Sequence, residues 1–445
     1  MYLTQRWTDL RYHKVQSELW NSNKRFCVVP AGRRSGKTEL AKRKLITKAI
    51  RGPKGQFHDA NFFAGAPTRD QAKRIYWDDL KALIHPKFLA RKPKESDLVI
   101  ELINNSMISV IGLDVSERIE GSPWDWGILD EYGNMKKKVW EENVRPALSD
   151  RLGGCWLIGV PEGRNHYYSL YKDALEDKTG EWGVYHWFSS EILPDHEIES
   201  AKNTMDLLTF QQEYEGSFIT FQGRIYYPFD ESIHCGHLTY NKEEPLILCF
   251  DFNVSPGTCV IIQEQVLYYT INGQRFKNKG TGVISEVYIE KDSNTSRVCK
   301  KILKDFSNHS GNVYCYGDAT GGSSGSAKIK GSDWDIIESE LKPVFNDRLK
   351  FKYPRKNPPE KVRVNSVNSR LLSTTNIVRL MVDPRFAPNV ITDFDGVEVL
   401  EDSTGEIDKK SNPELTHLTD SIGYYINKEF PIHEDKIRES RILGI

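Results

Sequence analysis

The chain has 445 residues, 38% of them hydrophobic, and its 61 basic residues are balanced by 62 acidic ones. This length predicts two or three domains, and the net charge of -1 excludes a protein whose whole surface attracts a polyanion, so any nucleic-acid surface must be local. The seven cysteines are scattered singly, which argues against a disulfide framework and a cysteine-based zinc site.

A phosphate-binding loop is predicted near the N-terminus. An apolar strand at residues 27–30 runs into a basic, glycine-bearing loop, and good helix formers follow. This context makes an anion cradle from backbone N–H groups and a helix N-terminus. Lys37 would reach the terminal phosphates of ATP, and the Thr38 hydroxyl would bind the bridging Mg²⁺. The loop residues are Gly32, Arg33, Arg34, Ser35, Gly36, Lys37 and Thr38.

Two features near this loop leave alternatives open. Ala31 stands where the first glycine of the usual pattern belongs, so an accidental basic turn is the alternative to a phosphate loop. Gln16 could read the adenine edge with its amide, as a glutamine does in many DNA-tracking ATPases. An exposed surface glutamine explains Gln16 equally well, because glutamine is mostly exposed.

Strands and helices alternate after the loop. Strands are predicted at residues 62–68 and 107–112, and a helix at 69–84 with Thr68 or Asp70 as its N-cap. Such alternation predicts a parallel sheet covered on both faces.

An acidic pair ends the next apolar stretch, residues 124–131. Asp130 and Glu131 come at its carboxyl end, where open α/β sheets bind ligands. Asp130 would hold Mg²⁺, and Glu131 would polarise the attacking water. An isolated acidic pair is usually a solvated loop, but behind this strand and after a phosphate loop it indicates ATP hydrolysis.

A second α/β sheet is predicted after an extended connector. We expect an ATPase domain at residues 1–215, a connector at 216–240 and a second domain at 241–445. Its first strand is predicted in residues 245–253, where Asp251 interrupts an otherwise apolar run and is costly to bury unless it is paired or binds a metal.

The later elements place two more carboxylates. A hairpin is predicted at residues 258–271 and 282–289, and a helix at 296–306. A strand ends at Asp318, before a glycine-rich loop at residues 319–322, and a helix beginning at His417 has Asp420 in its first turn.

This order of elements resembles an RNase H-like domain. Asp251, Asp318 and Asp420 would then hold two divalent ions roughly 3.5–4 Å apart, which activate water and stabilise the leaving oxygen of a phosphodiester. The 62 acidic residues allow many such triples, so a structural, hydrogen-bonded Asp251 remains an alternative.

A basic segment from residue 348 to 361, continuing to Arg363 and Arg370, with Phe351 and Tyr353 interleaved, suits a DNA backbone track. A solvated charged face is the alternative. The residues predicted to contact DNA are Lys352, Arg355, Lys356, Lys361 and Arg363.

Together these motifs resemble the large terminase subunit of tailed double-stranded DNA phages, over nearly the whole chain. The order of the motifs is more specific than any one of them. They are Gln16, residues 32–38, Ala66-Pro67-Thr68, Leu129-Asp130-Glu131, Gln212-Glu213-Tyr214, Asp251, Gly317-Asp318-Ala319-Thr320-Gly321, and His417 with Asp420.

The resemblance implies an α/β protein with an N-terminal P-loop ATPase domain of the ASCE type and a C-terminal RNase H-like nuclease that uses two Mg²⁺ or Mn²⁺ ions. It implies a ring, typically of five subunits, that pumps the genome into the procapsid and cuts the concatemer. Implied partners are double-stranded DNA, the portal protein and the small terminase subunit. We expect a monomer in isolation, in the host cytoplasm, docked transiently on the procapsid, absent from the mature virion and without a membrane span.

By position, the resemblance gives the ATPase chemistry to Lys37, Thr38, Asp130 and Glu131. It assigns the binding of the nuclease metals to Asp251, Asp318 and Asp420. Arg33 and Arg118 are both candidates for the activating arginine. The chain departs from the family pattern at Ala31, at Gly159-Val160-Pro161, where the coupling motif usually has Ser or Thr before proline, and at Thr419, where an Asp often precedes the last carboxylate.

Two other protein classes remain as alternatives. A helicase would share the first half, but no second motor sheet is legible after residue 253. The C-terminal half could instead be a non-catalytic DNA clamp or portal-docking module, which a structural carboxylate at Asp251 would fit.

Overall fold

The protein is described from a computed structural model. It divides into two compact units, Met1–Ile198 with Gln211–Thr220, and Glu199–Phe210 with Phe221–Ile445. None of the described helices is long and apolar enough to cross a bilayer. The residues described are 13–53, 55, 57–163, 165–219, 223–252, 256–319, 332–400, 406–409 and 415–432.

The first unit is built on a seven-stranded sheet in the order β3-β4-β2-β5-β6-β1-β7. Its strands are β1 Phe26–Pro30, β2 Ala60–Ala66, β3 Val99–Glu101, β4 Ser106–Gly112, β5 Trp126–Asp130, β6 Gly154–Gly159 and β7 Trp182–Val184. Its helices are α1 Lys14–Asn21, α2 Lys37–Arg51, α3 Arg69–Ala72, α4 Asp78–Leu83, α5 Arg145–Ala147 and α6 His166–Leu175, with π-helical turns at Lys73–Trp77 and Val139–Val144.

All pairings in this sheet are parallel except that between β3 and β4. Successive residues of β1 lie in different apolar clusters, one on each face of the sheet. Val29 packs with Ile128 and Ile158, and Val28 packs with Leu129. Both faces are therefore covered, as the alternating strands and helices predicted. One strand, β6, stands between the loop strand β1 and the acidic strand β5.

The N-cap of the helix after β2 is Thr68, whose hydroxyl accepts a hydrogen bond from the Gln71 N–H at 3.3 Å. This confirms one of the two predicted caps. Two further helices are α7 Asp195–Thr204 and α8 Leu207–Glu215.

The second unit is built on a six-stranded sheet in the order β12-β11-β8-β9-β10-β13. Its strands are β8 Leu246–Asp251, β9 Gly257–Ile271, β10 Gln274–Ile289, β11 Val313–Gly317, β12 Leu349–Phe351 and β13 Leu380–Val382. Its helices are α9 Glu231–His234, α10 Thr295–Phe306, α11 Asp333–Phe345, α12 Glu360–Leu371, α13 Pro388–Gly396 and α14 His417–Glu429.

In this sheet β8, β9 and β10 are antiparallel, and β11 and β12 continue parallel to β8. This is the RNase H-like arrangement that the order of elements predicted. The predicted start of the second hairpin strand at residue 282 is wrong, because β10 already begins at Gln274. The turn is Asn272-Gly273, with φ of 49° and 78°, which is a strong hairpin signal.

Candidate functional site

The first half of the phosphate loop is held by the rest of its own unit. The Gly32 N–H donates to the Trp187 carbonyl at 3.2 Å, and the Arg33 N–H donates to the Glu213 carbonyl at 2.6 Å. The Ser189 hydroxyl donates to the Arg33 carbonyl at 2.6 Å. A Cβ at Gly32 would lie 2.3 Å from the Ser189 hydroxyl, so only glycine permits this approach.

The second half of the loop presents free donors. Within the described part of the chain, the N–H groups of residues 34–38 have no hydrogen-bond partner. Gly36 has φ of 80° and ends the loop where α2 begins, so these donors and the helix N-terminus form the predicted cradle. The Lys37 ammonium is buried in it, 3.3 Å from the Gly32 carbonyl, and burial lowers its pKa.

Gln16 lies beneath this cradle rather than on the surface. Its side chain is 1% exposed, so the exposed-glutamine alternative is wrong. Its Nε2 donates to the Ser35 carbonyl at 3.0 Å, and the Trp187 indole donates to the same carbonyl at 2.9 Å. Its Oε1 is buried without a partner among the described residues, and an adenine amino group is the kind of donor it lacks. The adenine contact itself stays a prediction.

Asp130 meets the phosphate loop directly. The Thr38 hydroxyl donates to its Oδ2 at 3.0 Å, and the buried Tyr76 hydroxyl donates to the same oxygen at 2.8 Å. Adjacent hydroxyl and carboxylate oxygens are donors that suit Mg²⁺, so Thr38 and Asp130 fit the ion that accompanies ATP. The sequence analysis did not single out Tyr76. In the structure it lies in the π-helical turn Lys73–Trp77, and such turns are frequent at functional sites.

Glu131 has an unusual backbone and an unusual acidity. Its φ of 54° and ψ of 44° lie in the left-handed region, which is uncommon for a residue with a side chain. Burial, followed by the charge of Asp130, raises its pKa to about 7, against the opposing charges of Lys37 and Arg33. A carboxyl group with a near-neutral pKa is suited to proton transfer.

The two candidate activating arginines differ in their surroundings. The Arg33 guanidinium forms an ion pair with Glu213 in the same unit. Arg118, in the turn Ser116–Ile119, is exposed and makes no ion pair within the described part of the chain.

In the second unit, Asp251 ends β8 and faces α14. Its Oδ2 lies 3.1 Å from His417 Nδ1. Burial raises the pKa of Asp251, the hydrogen bond from His417 lowers it, and the charges of Asp420 and Asp318 raise it further. The charges of both other predicted carboxylates therefore act on Asp251.

Asp318 follows β11 and is held by the amide of Asn357, which donates to its Oδ1 at 2.7 Å. The Trp334 indole donates to the Asp318 carbonyl at 3.3 Å. Thr320 and Gly321, the rest of that predicted motif, lie outside the described residues.

Two cations contact Asp420. Arg363 donates to its Oδ1 at 2.5 Å and Lys409 to its Oδ2 at 3.0 Å. Arg363 is 5% exposed, so its predicted place on an exposed DNA track is corrected: its charge is paired with Asp420. A Cβ at Gly423 would lie 2.5 Å from the Arg363 side chain, so this glycine makes room for the arginine.

As placed, these carboxylates do not form a metal site. Among the described residues there is no group of three or more His, Cys, Asp or Glu side chains that could hold a metal ion. Both oxygens of Asp420 already face cations. The two-metal site therefore stays a prediction.

The other residues of the predicted DNA track differ in their exposure and in their pairing. Arg355 and Lys356 are exposed, whereas Lys361 is partly buried. Lys352 pairs with Glu429 at 3.3 Å and lies 4.6 Å from the Tyr314 ring. Part of the charge of this segment is thus balanced within the unit.

Asp393, which sequence reasoning missed, caps the helix that carries Asp420. Its Oδ2 accepts hydrogen bonds from the N–H groups of Leu418 at 3.0 Å and Thr419 at 3.3 Å. The residue is 3% exposed. Burial raises its pKa from 3.8 to about 7, although both hydrogen bonds oppose the shift.

We expect Asp393→Asn to flatten the pH dependence of stability of the second unit. Because the pKa is raised on folding, this carboxyl stabilises the fold fully below about pH 4 and loses that contribution as the pH rises through about 7, on the order of 4 kcal/mol at most. Asparagine keeps the acceptor and does not titrate. Thermal unfolding midpoints of parent and variant from pH 4 to 8 check this; a constant difference between them contradicts it.

Sequence comparison finds similarity to phage proteins over about half of the chain. No protein-family model matches the chain. It is 25% identical over 215 residues to the terminase large subunit of Escherichia phage T5, covering 47% of this chain and 48% of that protein. It is 22% identical over 281 residues to the terminase large subunit of Thermus phage G20c, covering 56% of each. The chain thus spans about half the length of these curated relatives.

A solved structure extends the likeness to the whole fold. The large terminase of a thermophilic bacteriophage, in complex with ADP, superposes with a TM-score of 0.61 at 16% identity, covering 94% of this chain and 99% of that one. The predicted fold class, a P-loop ATPase domain followed by an RNase H-like domain, is confirmed by this superposition and by the two sheet topologies. The chain is therefore similar, in sequence over about half its length and in fold over nearly all of it, to the large terminase subunits of phages.

Proposed function

We propose that this chain is a phage DNA-packaging motor, in which ATP hydrolysis drives double-stranded DNA through the portal into the procapsid and an endonuclease in the second unit cuts the concatemeric genome. The contact of the Thr38 hydroxyl with Asp130 carries the proposal. It joins the phosphate loop to the acidic pair in a chain similar to large terminases.

In the first unit, the N–H groups of residues 34–38 would bind the phosphates and Lys37 would balance their charge. The free Oε1 of Gln16 would accept from the adenine amino group. Thr38 and Asp130 would hold Mg²⁺, which neutralises phosphate charge when bound. Glu131 would orient the attacking water and take its proton.

In the second unit, Asp251, Asp318 and Asp420 are the proposed nuclease residues, with Mg²⁺ or Mn²⁺ as the metal. The RNase H-like sheet and the influence of Asp318 and Asp420 on the pKa of Asp251 support this assignment. Because the carboxylates as placed do not form a site for metal ions, we derive no hydrolytic step from them.

The proposed assembly is a ring, typically of five subunits, that docks on the procapsid portal in the host cytoplasm and works with the small terminase subunit. We propose that the isolated chain is a monomer. The exposed Arg118 supports a ring, because a cation that makes no ion pair within the described part of its own chain can act on nucleotide bound by a neighbour.

A non-catalytic second unit, acting as a DNA clamp or portal-docking module, is the alternative function. The pairing of Asp420 with Arg363 and Lys409 favours it, because these cations neutralise a carboxylate that a nuclease needs for metal.

One assay of the purified protein tests both functions. We expect ATP hydrolysis and metal-dependent plasmid cleavage, both lost with EDTA. Hydrolysis without cleavage would support the clamp, and absence of both activities would contradict the motor.

A further inference from the structure

The longest strands of the second unit extend far beyond the nuclease carboxylates. Asp251 pairs with Thr258 at the start of β9. Val266, further along β9, lies roughly 26 Å away at about 3.3 Å per residue. The end of the hairpin, residues 266–279, is thus remote from the proposed nuclease site.

The two faces of this hairpin end differ. Leu267 and Tyr269 are buried in an apolar cluster and fix one face to the unit. On the other face Val266 is 49% and Tyr268 is 72% exposed. The hairpin end is therefore a rigid surface rather than a free arm.

Three cations lie in a row on the exposed face. In the antiparallel register Lys279 pairs with Val266, Lys277 with Tyr268 and Arg275 with Thr270. Because side chains alternate along a strand, these pairs share one face, and the cations repeat about every 6.8 Å. All three are exposed.

Within the hairpin end the charge of this row is not balanced. Glu244 and Glu264 line a cavity with Lys279, but Glu264 already pairs with Arg370. Residues 265–285 contain these three cations and no Asp or Glu, although the whole chain has a net charge of -1. No ion pair involves Arg275, Lys277 or Lys279 within the described part of the chain. In contrast, Lys352 and Arg363 of the predicted track have acidic partners.

We propose that this face, Val266, Tyr268 and Thr270 with Arg275, Lys277 and Lys279, binds the sugar–phosphate backbone of duplex DNA away from the nuclease carboxylates. With one cation about every 6.8 Å, the row can neutralise several phosphates of a duplex at once. The Tyr268 hydroxyl adds an uncharged hydrogen-bond donor to a phosphate oxygen. The proposal rests on the proposed function only in that DNA is the partner.

The test is DNA binding by the full chain carrying Arg275→Gln, Lys277→Gln and Lys279→Gln. Fluorescence anisotropy with a short labelled duplex is measured across salt concentrations, in EDTA and without nucleotide. We expect at least about tenfold weaker binding in low salt and a logarithmic salt slope that is shallower by about 3. ATP hydrolysis without DNA should be unchanged.

The matched control removes three exposed cations from α10 by Lys300→Gln, Lys301→Gln and Lys304→Gln, and should leave the slope nearly unchanged. Equal losses in both variants would indicate a general charge effect and overturn the proposal. Unchanged DNA binding with lost attachment to portal-bearing procapsids would overturn it in favour of a protein contact. A parent that hydrolyses ATP but binds no duplex would overturn it while leaving the ATPase assignment intact.

Discussion

Glu131→Gln is expected to lower ATP turnover at least about 100-fold while nucleotide binding is retained. Glutamine fills the same space and can still orient water, but it cannot take a proton. The hydrogen bond from Lys37 to the Gly32 carbonyl and the contact of Thr38 with Asp130 involve no atom of Glu131. Steady-state hydrolysis and titration with a fluorescent nucleotide measure the two effects separately.

Glu142→Gln is the matched control for this variant, because Glu142 is an exposed acid of the same unit outside the site. Its turnover should equal that of the parent. If Glu131→Gln keeps parental turnover, Glu131 is not the base. If both turnover and nucleotide binding are lost, its role is in building the site.

Asp251→Asn is expected to lower the rate of metal-dependent plasmid cleavage at least about 100-fold and to leave duplex binding intact. The substitution keeps the size of the side chain and removes the charge that a metal ligand needs. Agarose-gel cleavage with Mn²⁺ or Mg²⁺, beside duplex binding in EDTA, separates the two properties. ATP hydrolysis should not change, since the substitution lies in the other unit.

Asp347→Asn is the control here, because Asp347 is an exposed acid of the same unit. Cleavage by Asp251→Asn at the parental rate would show that the nuclease site lies elsewhere or that a contaminant cuts. A parent that binds DNA, hydrolyses ATP and never cuts would instead identify the second unit as a clamp.

Much of the fold could be predicted because its key strands are apolar runs that end in a marked residue. β1 ends just before the phosphate loop, β5 ends in Asp130 and β8 in Asp251. Within one sheet the carboxyl ends of parallel strands share an edge, so Asp130 could be placed near the phosphate loop, and Asp251 near Asp318, from the sequence.

The remaining features depend on contacts between distant residues. Arg363 looked like an exposed cation, as arginine usually is, yet it is buried because Asp420 pairs with it and Gly423 leaves it room. The start of β10 was missed because its outward positions hold Lys277 and Lys279, so no apolar run marks it. Pairing with β9, rather than local composition, makes that segment a strand.

The left-handed backbone at Glu131 sets folding and function against each other. A residue with a side chain costs on the order of 1 kcal/mol in that region, whereas glycine does not. A search for heat-resistant variants that scored only the melting temperature would therefore favour glycine at this position and discard the carboxylate. In the proposed function this carboxylate is needed for ATP turnover, so the most heat-resistant variant at position 131 would be one that has lost its hydrolysis.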